Sequence, residues 1–324
     1  EYSITQKEKP GGQITRLQDT LLLEKRYIDN FACCDCQKHE LDGKGYGMLP
    51  VRDLKKEQPF EEVVVDLRGP WKVQVRGKPY EFNALTAIDT VTNLVKIVRI
   101  DKNMSEHITA IRFAQSWMAR YPWPKRCVHD NGGEFVGWEF QQFLDKCNVK
   151  DVPTTSRNPQ ANSICERMHQ SVGNILRTLL HGNPPENVSK ANEMVDEALS
   201  IAQHAMRTSV HTTLGSSPGA LVFSRDMFLN VPLSSDWHAI TQKREHLVNY
   251  RLMRTNTQRR TYDYAPNQKV LKKVHDPTKL GIRTSGPYSI KKVHVNGTVT
   301  MELLTGVSER INIRRVIPYR ENDD

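Results

Sequence analysis

Three acidic residues are placed in the sequence where carboxylates could bind metal ions. Asp66 closes a β-branched run, Val63–Val65, which predicts a buried strand where a carboxylate is costly unless it coordinates something. Asp130 follows a shorter predicted strand, and Glu166 lies on a long predicted helix, on the face opposite its apolar stripe. Taken singly, each acid is more typical of a helix cap or a solvated surface. Their combined placement favours a shared site.

The chemistry of such a site follows from the ligand type. If the strands that end at Asp66 and Asp130 are neighbours in a mixed sheet, the two carboxylates meet, and the helix brings Glu166 to them. Three convergent carboxylates suit two Mg²⁺ (or Mn²⁺) ions, which prefer oxygen ligands. Two ions ~3.5–4 Å apart activate an attacking oxygen and stabilise the leaving oxygen of a phosphodiester. The residues therefore predict metal-dependent phosphoryl transfer.

The elements that must position these acids predict an α/β domain with a mixed five-stranded sheet and flanking helices. The predicted strands are Phe60–Leu67, Phe82–Ile88, Leu94–Ile100, Arg126–His129 and Val149–Val152. The predicted helices are one capped by Ser105, then Glu139–Cys147, Pro159–His181 and Ala191–Met206. From Gln268 to Tyr319 short strands recur, with an Asn296–Gly297 turn between two of them, which predicts a small all-β barrel. Its strands are expected at Lys269–Val274, Tyr288–Val293, Val299–Leu304 and Ile311–Val316.

Charge is concentrated in the C-terminal third of the chain. Residues 241–320 carry 17 Lys and Arg against 5 Asp and Glu, whereas residues 1–240 carry 29 of each sign. A basic third on a neutral body indicates a polyanion partner, with nucleic acid favoured over a membrane surface. Candidate DNA contacts are Asn162, Gln170 and Arg177 around the Glu166 face, and Lys272, Lys273, Arg314 and Arg315 on or beside the barrel strands. A solvated surface is the alternative for each of these residues.

The sequence divides into five predicted parts. They are an N-terminal helical module (1–45), a linker (46–57), the α/β core (58–225), a basic helical connector (226–266) and the small barrel (267–320). No stretch approaches the ~18 apolar residues of a membrane-spanning helix. The scattered cysteines are typical of a reduced, intracellular protein. The chain opens on Glu1 with no apolar signal segment, which suggests a fragment of a polyprotein.

The acidic residues and their surroundings resemble a known signature. Asp130 and Glu166 are separated by 35 residues, and the order Asp66, Asp130, Glu166 resembles the D,D-35-E pattern of retroviral and retrotransposon integrases. Three blocks are also similar: Pro59–Pro70 (PFEEVVVDLRGP), Asp130–Phe135 (DNGGEF) and Asn158–Arg167 (NPQANSICER). In the C-terminal part, Gly286–Tyr288 (GPY) and Asn312–Tyr319 (NIRRVIPY) resemble the GPY/F module of gypsy-type integrases.

This resemblance carries functional expectations beyond the residues themselves. It implies a ribonuclease H-like core in which Asp66, Asp130 and Glu166 bind the metal ions and catalyse 3′-end processing and strand transfer. It also implies element-end DNA and target DNA as partners and a homo-oligomer. The expected location is the nucleus at the integration step, with a cytoplasmic particle beforehand. The alternatives are a related transposase or ribonuclease H-type nuclease, and a decayed or domesticated integrase that only binds DNA.

The chain departs from the family pattern at its N-terminal zinc module. Cys33 and Cys36 resemble the second half of a His-His-Cys-Cys site, but residues 1–32 contain no histidine. A structural Zn²⁺ site needs four ligands. The start of the module is therefore truncated or altered, or the zinc site is degenerate, and Zn²⁺ binding is not expected. The alternative for the cysteines is buried or free thiols.

Overall fold

The structure is a computed structural model that describes residues 34–39, 43–51, 58–101, 106–154, 163–181, 185–229, 231–275, 277–278, 281–304 and 306–320. They form two compact units. One is drawn from residues 51–254, and the other combines residues up to 50 with residues from 255 onward. The boundaries differ from those predicted, because the expected linker 46–57 and connector 226–266 are each divided between the units.

The elements are numbered in chain order. The strands are β1 (Gly45–Tyr46), β2 (Glu62–Val75), β3 (Lys78–Asp89), β4 (Val95–Asp101), β5 (Arg126–His129), β6 (Lys150–Pro153), β7 (Arg259–Arg260), β8 (Lys269–Lys273), β9 (Thr284–His294), β10 (Thr298–Leu304), β11 (Val307–Asn312) and β12 (Val316–Pro318). The helices are α1 (Cys34–His39), α2 (Glu106–Phe113), α3 (Gly133–Val136), α4 (Trp138–Lys146), α5 (Ser163–His181), α6 (Val188–Thr208), α7 (Pro218–Phe223) and α8 (Trp237–Thr257). A π-helical segment, Ala114–Met118, continues α2, and a 3₁₀ turn, Ile313–Arg315, precedes β12.

The unit formed by residues 51–254 is built on a five-stranded mixed sheet, as predicted. Its strand order is β4-β3-β2-β5-β6, in which β2 is antiparallel to β3 and parallel to β5. The tight connection between β3 and β4 is stabilised by Asp89, whose buried carboxylate accepts bonds from the Thr92 backbone N–H and hydroxyl and from the Phe60 N–H. The parallel pairing of β2 with β5 makes the first and fourth core strands neighbours, which is the arrangement under which Asp66 and Asp130 were expected to meet.

Each face of this sheet packs against its own helices. One face, with Val64, Ala84 and Ile97, is covered by apolar residues of α5 and α6 such as Val172 and Val195. The opposite face is covered by the π-helical segment, α3 and α4. The largest fully buried side chain there is Trp117. This three-layer arrangement is the ribonuclease H-like architecture that the motifs implied.

One local expectation for the core is wrong. Asp66 does not end its strand, because β2 continues to Val75 and stays paired with β3 through a register shift between Arg68 and Trp71. The Gly69–Pro70 pair lies in that irregularity and does not terminate the strand. What stops near Asp66 is the parallel pairing with β5, whose last register pair joins Val64 to Val128.

The other unit is built on a five-stranded antiparallel sheet in the order β11-β10-β9-β8-β12. Segments from the N-terminal part of the chain pack with it: β1 pairs in parallel with β7, and the Asn256 side chain bonds both the N–H and the C=O of Leu49. On α1, the Gln37 side chain bonds the backbone N–H and C=O of Arg320. A C-terminal all-β module is therefore present, and it includes residues that were expected to form a linker.

The last predicted strand of this module, Ile311–Val316, is two strands separated by the 3₁₀ turn. Arg314 and Arg315 lie in that turn and not on a strand, as Asn312 caps it by accepting the Arg314 N–H. Among the residues that the structure describes, no helix is both long and apolar enough to cross a bilayer.

Candidate active site

The strand register brings Asp66 and Asp130 to one level of the core sheet. Val64 and Val128 are partners in the parallel β2–β5 ladder, so Asp66 and Asp130 each lie two residues beyond a paired position. Val64 and Val128 both pack on the α5 and α6 side of the sheet. Because side chains alternate along a strand, Asp66 on β2 belongs to that same side. Asp130 directly follows His129, the last residue of β5, so both acids come at the same end of the paired strands.

Asp66 is buried beneath α5, where it faces a histidine. Asp66 is only 8% exposed, and its Oδ2 atom lies 3.5 Å from Nδ1 of His169. The other ring nitrogen, Nε2, is 3.0 Å from Oγ1 of Thr86, which is the register partner of Asp66 on β3. Asp66, Thr86 and His169 thus form a compact polar group under the helix.

The His169 ring is neutral in this environment. Burial, with a smaller contribution from the nearby Arg68 guanidinium, lowers the pKa of His169 to about 4. Both causes disfavour the imidazolium. A neutral ring has one N–H and one lone pair, so His169 can donate to one of its two oxygen neighbours while its other nitrogen faces the second.

Asp130 lies just past β5, in an exposed turn that leads into α3. Its Oδ1 accepts a hydrogen bond from the Gly132 N–H at 3.0 Å, which shapes the turn before the helix. Behind it, the buried His129 ring contacts the Asp130 carbonyl oxygen through Nδ1 at 2.6 Å and the Asp151 carboxylate through Nε2. Through its contact with the Asp130 carbonyl oxygen, the His129 ring holds the backbone at Asp130 from the side of the sheet opposite α5.

The third acid, Glu166, is on α5 as predicted, three residues before His169. Residues three apart share a helix face, so position 166 belongs to the turn that precedes the contact with Asp66. Gln170 and Arg177 are exposed on the same helix, at spacings that put them on one stripe with position 166. The side chain of Glu166, and the whole of Asn162 and Cys33, lie outside the described residues, as does the side chain of Cys36 on α1.

Two of the four basic residues predicted to contact DNA in the C-terminal module, Lys272 and Arg315, have partners within it. Lys272 forms an ion pair with Glu309, and both side chains are 21% exposed. Arg315 donates to the backbone carbonyl of Lys273 at 3.1 Å, and Arg314 is half-buried. The prediction that these four side chains contact DNA stays a prediction, and their intramolecular partners must be displaced or shared for it to hold.

Sequence reasoning missed three residues of the site: His169, Thr86 and Arg68. His169 falls within the predicted helix and has no characteristic spacing to another ligand. Thr86 becomes a neighbour only through the antiparallel pairing of β2 with β3. Arg68 could have been found from the sequence, because it follows Asp66 by two residues and so lies on the same side of the strand.

The donor set fits a divalent cation. Carboxylate oxygens at positions 66, 130 and 166 are the hard ligands that Mg²⁺ and Mn²⁺ accept. Among the side chains that the structure describes, which exclude that of Glu166, no cluster of three or more His, Cys, Asp or Glu groups could hold one ion. The described parts of the site are Asp66 with His169, and Asp130 just past the end of β5.

Comparisons with known proteins agree with the fold and the motifs. No family model matches the chain. Over 200 residues, 61% of the chain, it is 24% identical to the Transposon Tf2-3 polyprotein of Schizosaccharomyces pombe, and equally to the Tf2-4 polyprotein. The chain spans only 14% of the length of these curated relatives.

Two solved structures are similar to the chain. A chain in the cryo-EM structure of the simian T-cell lymphotropic virus intasome in complex with PP2A regulatory subunit B56 gamma aligns with a TM-score of 0.61 and 14% identity. That alignment covers 90% of this chain and 88% of the other. The HTLV-2 integrase catalytic core domain in complex with magnesium aligns over 50% of this chain and 94% of its own length, with 19% identity and a TM-score of 0.38. These findings support the resemblance drawn from the three acidic blocks: the chain is similar in sequence to retrotransposon polyproteins and shares its fold with the chain from the intasome.

Proposed function

We propose that this chain is a divalent-metal-dependent integrase that trims the ends of element DNA and joins them to target DNA. The observation that carries the proposal is the parallel β2–β5 register, in which Asp66 and Asp130 each follow a paired residue, Val64 or Val128, by two positions. Val64 and Val128 both pack on the face of the sheet covered by α5. The helix that carries Glu166 is anchored there by the contact between His169 and Asp66. Relationship to retrotransposon polyproteins supports the same reading.

The roles of the residues follow from this placement. Asp66, Asp130 and Glu166 would hold two Mg²⁺ or Mn²⁺ ions, which supply Lewis-acid stabilisation of the attacking and leaving oxygens when bound. In end processing, a water oxygen attacks phosphorus and the P–O3′ bond breaks, leaving a 3′-hydroxyl. In strand transfer, that hydroxyl attacks a target phosphodiester and the target 3′-oxygen leaves. Arg68, Gln170 and Arg177 are exposed and would bind the DNA backbone.

Partners and location belong to the same proposal. We infer that element-end DNA and target DNA bind the chain, which works as a homo-oligomer; the structural neighbour with the shared fold comes from an intasome. We place the reaction in the nucleus, following an earlier stage in a cytoplasmic particle. Zinc has no part in this proposal, since the histidines of the zinc module are missing from residues 1–32.

The test is a strand-transfer assay with labelled duplexes that carry the terminal sequence of the element. We expect cleavage and joining with Mg²⁺ or Mn²⁺ and none with EDTA. Asp66→Asn, Asp130→Asn and Glu166→Gln should each reduce the rate on the order of 10³-fold, because the ions contribute several kcal/mol to transition-state stabilisation. DNA affinity, measured by fluorescence anisotropy, should survive these changes.

Asp145→Asn is the matched control, since Asp145 is an exposed acid on α4. It should leave both cleavage and DNA affinity unchanged. Full activity in the Asp66→Asn protein would contradict the proposal. Tight DNA binding by the wild type, with no cleavage at any metal concentration, would instead identify a decayed integrase.

A further inference from the structure

We propose that Lys96, Arg120 and Arg207 form a binding site for phosphate groups of the DNA backbone at the β4 edge of the core sheet. The three side chains come from three elements: β4, the turn after the π-helical segment and the last turn of α6. The inference rests on the proposed function, because it takes DNA as the partner of this chain. It adds a DNA contact within residues 1–240, whose charges balance overall.

The position of Lys96 follows from the strand pattern. Val95 and Ile97 pack in the α5 and α6 layer, so Lys96 between them belongs to the opposite face of the sheet, which the π-helical segment covers. Lys96 is half-buried there. Within the part of the chain that the structure describes, its ammonium group has no hydrogen-bond or ion-pair partner. Water or an external anion must therefore supply the acceptors.

Arg207 joins the surroundings of Lys96 to those of Arg120. Its Nε and Nη2 atoms donate to the carbonyl oxygen of Val95, the residue before Lys96, at 3.0 and 2.8 Å. Nη2 also donates at 2.8 Å to the hydroxyl of Tyr121, the residue after Arg120. Hydrogen bonds between the three elements thus hold the three cations in one neighbourhood.

The cluster has three positive charges and no acid to balance them. Among the described residues, no carboxylate forms an ion pair with any of the three side chains. Burial lowers the pKa of the Lys96 ammonium, and the nearby Arg207 and Arg120 charges lower it as well. The acceptors that the two guanidinium groups do have are carbonyl and hydroxyl oxygens, which carry only partial charge. A bound phosphate would relieve this repulsion.

The donors that remain are suited to phosphate. Arg207 donates through Nε and Nη2 and Arg120 through Nε, so the other guanidinium nitrogens have no partner among the described residues. Arginine binds phosphate oxygens with paired N–H groups, and lysine adds a point charge. Duplex DNA presents one negative charge per ~1.7 Å of its axis, and the proposed function already brings DNA to the core. DNA is therefore favoured over an acidic protein segment.

The site is also held in place before any ligand binds. Gln203, one turn before Arg207 on α6, accepts a hydrogen bond from the Ile97 N–H at 2.9 Å. Two side chains of α6 thus cover the outward edge of β4, one on an N–H and one on a C=O. Groups already fixed by the fold lose little conformational entropy when a ligand binds.

The direct test compares lysine reactivity in the full-length chain with and without saturating duplex DNA of unrelated sequence, in EDTA. Acetylation of each lysine is followed by mass spectrometry. We expect DNA to slow the modification of Lys96 several-fold. Lys190 near the start of α6, which is ion-paired with Glu193, should react at the same rate in both samples. Unchanged modification of Lys96, or equal protection of both lysines, would overturn the inference.

Substitutions measure the contribution to affinity. Lys96→Gln and Arg120→Gln should each reduce the salt slope of log K by about 0.9 and weaken DNA binding about 8-fold at about 0.1 M salt, equally for unrelated sequences. Lys96→Arg should retain affinity. Lys190→Gln makes the same charge change and should bind as the wild type does, so an equal loss in this control would overturn the inference. Arg207 is left intact, because it also supports the β4 backbone.

Failure of the inference is distinguishable from failure of the proposed function. If the wild type binds no duplex DNA, both fail. If the wild type binds DNA and Lys96→Gln and Arg120→Gln bind it as tightly, only the inference fails. Sedimentation without DNA identifies the other class of partner: weaker self-association of these two variants, with unchanged DNA affinity, would mean that the cluster binds acids of a second copy of the chain and not DNA.

Discussion

At the scale of single residues, the candidate site is bounded by two buried histidines on opposite sides of the core sheet. His169 approaches Asp66 from the α5 side, and His129 holds the backbone of Asp130 from the α4 side. Both rings have oxygen partners, as buried polar groups require. The acidic positions are therefore ordered from both layers of the fold.

The burial of His169 makes stability depend on pH. Its pKa is about 4 in the folded chain against 6.5 ordinarily, so between these values the unfolded chain binds the extra proton. The free energy of unfolding should therefore fall as the pH drops from 6.5 towards 4. The contribution of His169 should amount to about 2 kcal/mol by pH 5.

Urea unfolding at pH 7.5 and pH 5 in EDTA measures this dependence. The decrease in the free energy of unfolding from pH 7.5 to pH 5 should be about 2 kcal/mol smaller in His169→Asn than in the wild type. His107→Asn, at a side chain that is 63% exposed, serves as the control and should follow the wild type. Equal losses in all three proteins would show that His169 is not the group responsible.

At the scale of elements, β2 continues well beyond Asp66, the residue that it positions in the candidate site. Its second half, beyond the irregularity at Gly69, continues as a hairpin with β3, and Trp71 and Val73 pack in the α5 and α6 layer. Gly69 has a φ of 154°, and a Cβ at this position would lie 3.0 Å from the Cα of Asn83. A close backbone approach thus joins the two halves of the strand.

We predict that Gly69→Ala destabilises the core by about 1–3 kcal/mol, because the added methyl meets the backbone of β3 and the φ angle disfavours a side chain. Chemical denaturation of the full chain measures the effect. Gly133→Ala is the control, since a Cβ there has no neighbour within 4 Å. A Gly69→Ala protein as stable as this control would show that β3 moves aside at no cost.

Two lysines of the C-terminal sheet differ in their surroundings. Lys272 is paired with Glu309, whereas Lys292 is exposed on β9. We predict that Lys292→Gln lowers the affinity for duplex DNA more than Lys272→Gln, and reduces the salt slope of log K by about 0.9. Fluorescence anisotropy with unrelated duplexes at several salt concentrations tests this. A loss confined to one sequence would mean that the module reads bases and does not only bind phosphates.

At the scale of the whole molecule, charge and compact units divide the chain in nearly the same place. The excess of basic residues lies in 241–320, and the unit built on the antiparallel sheet takes its C-terminal part from residue 255 onward. The acidic residues of the candidate site all belong to the other unit, residues 51–254. The excess of basic residues and the acidic residues of the candidate site thus lie largely in different units.

We predict that a fragment of residues 51–254 folds and binds Mn²⁺ as the full chain does, since both layers of its core are internal to it. Its affinity for DNA should be lower and less dependent on salt, because fewer phosphates are neutralised. Calorimetric unfolding, Mn²⁺ titration and salt-dependent anisotropy measure the three quantities. DNA affinity equal to that of the full chain would place the DNA-binding surface on the core.

The α/β core, the C-terminal β module and the acidic residues of the candidate site were predicted from the sequence. These depend on local signals: β-branched runs, helical periodicity, turn residues and the 35-residue spacing of Asp130 and Glu166. Three features could be seen only in the folded structure: β2 continues past Asp66, His169 and Thr86 complete the polar group there, and β1 pairs with β7. The last two join residues far apart in the chain, so they depend on how the elements pack together. The first depends on a register shift that lets β2 stay paired with β3 beyond Gly69 and Pro70.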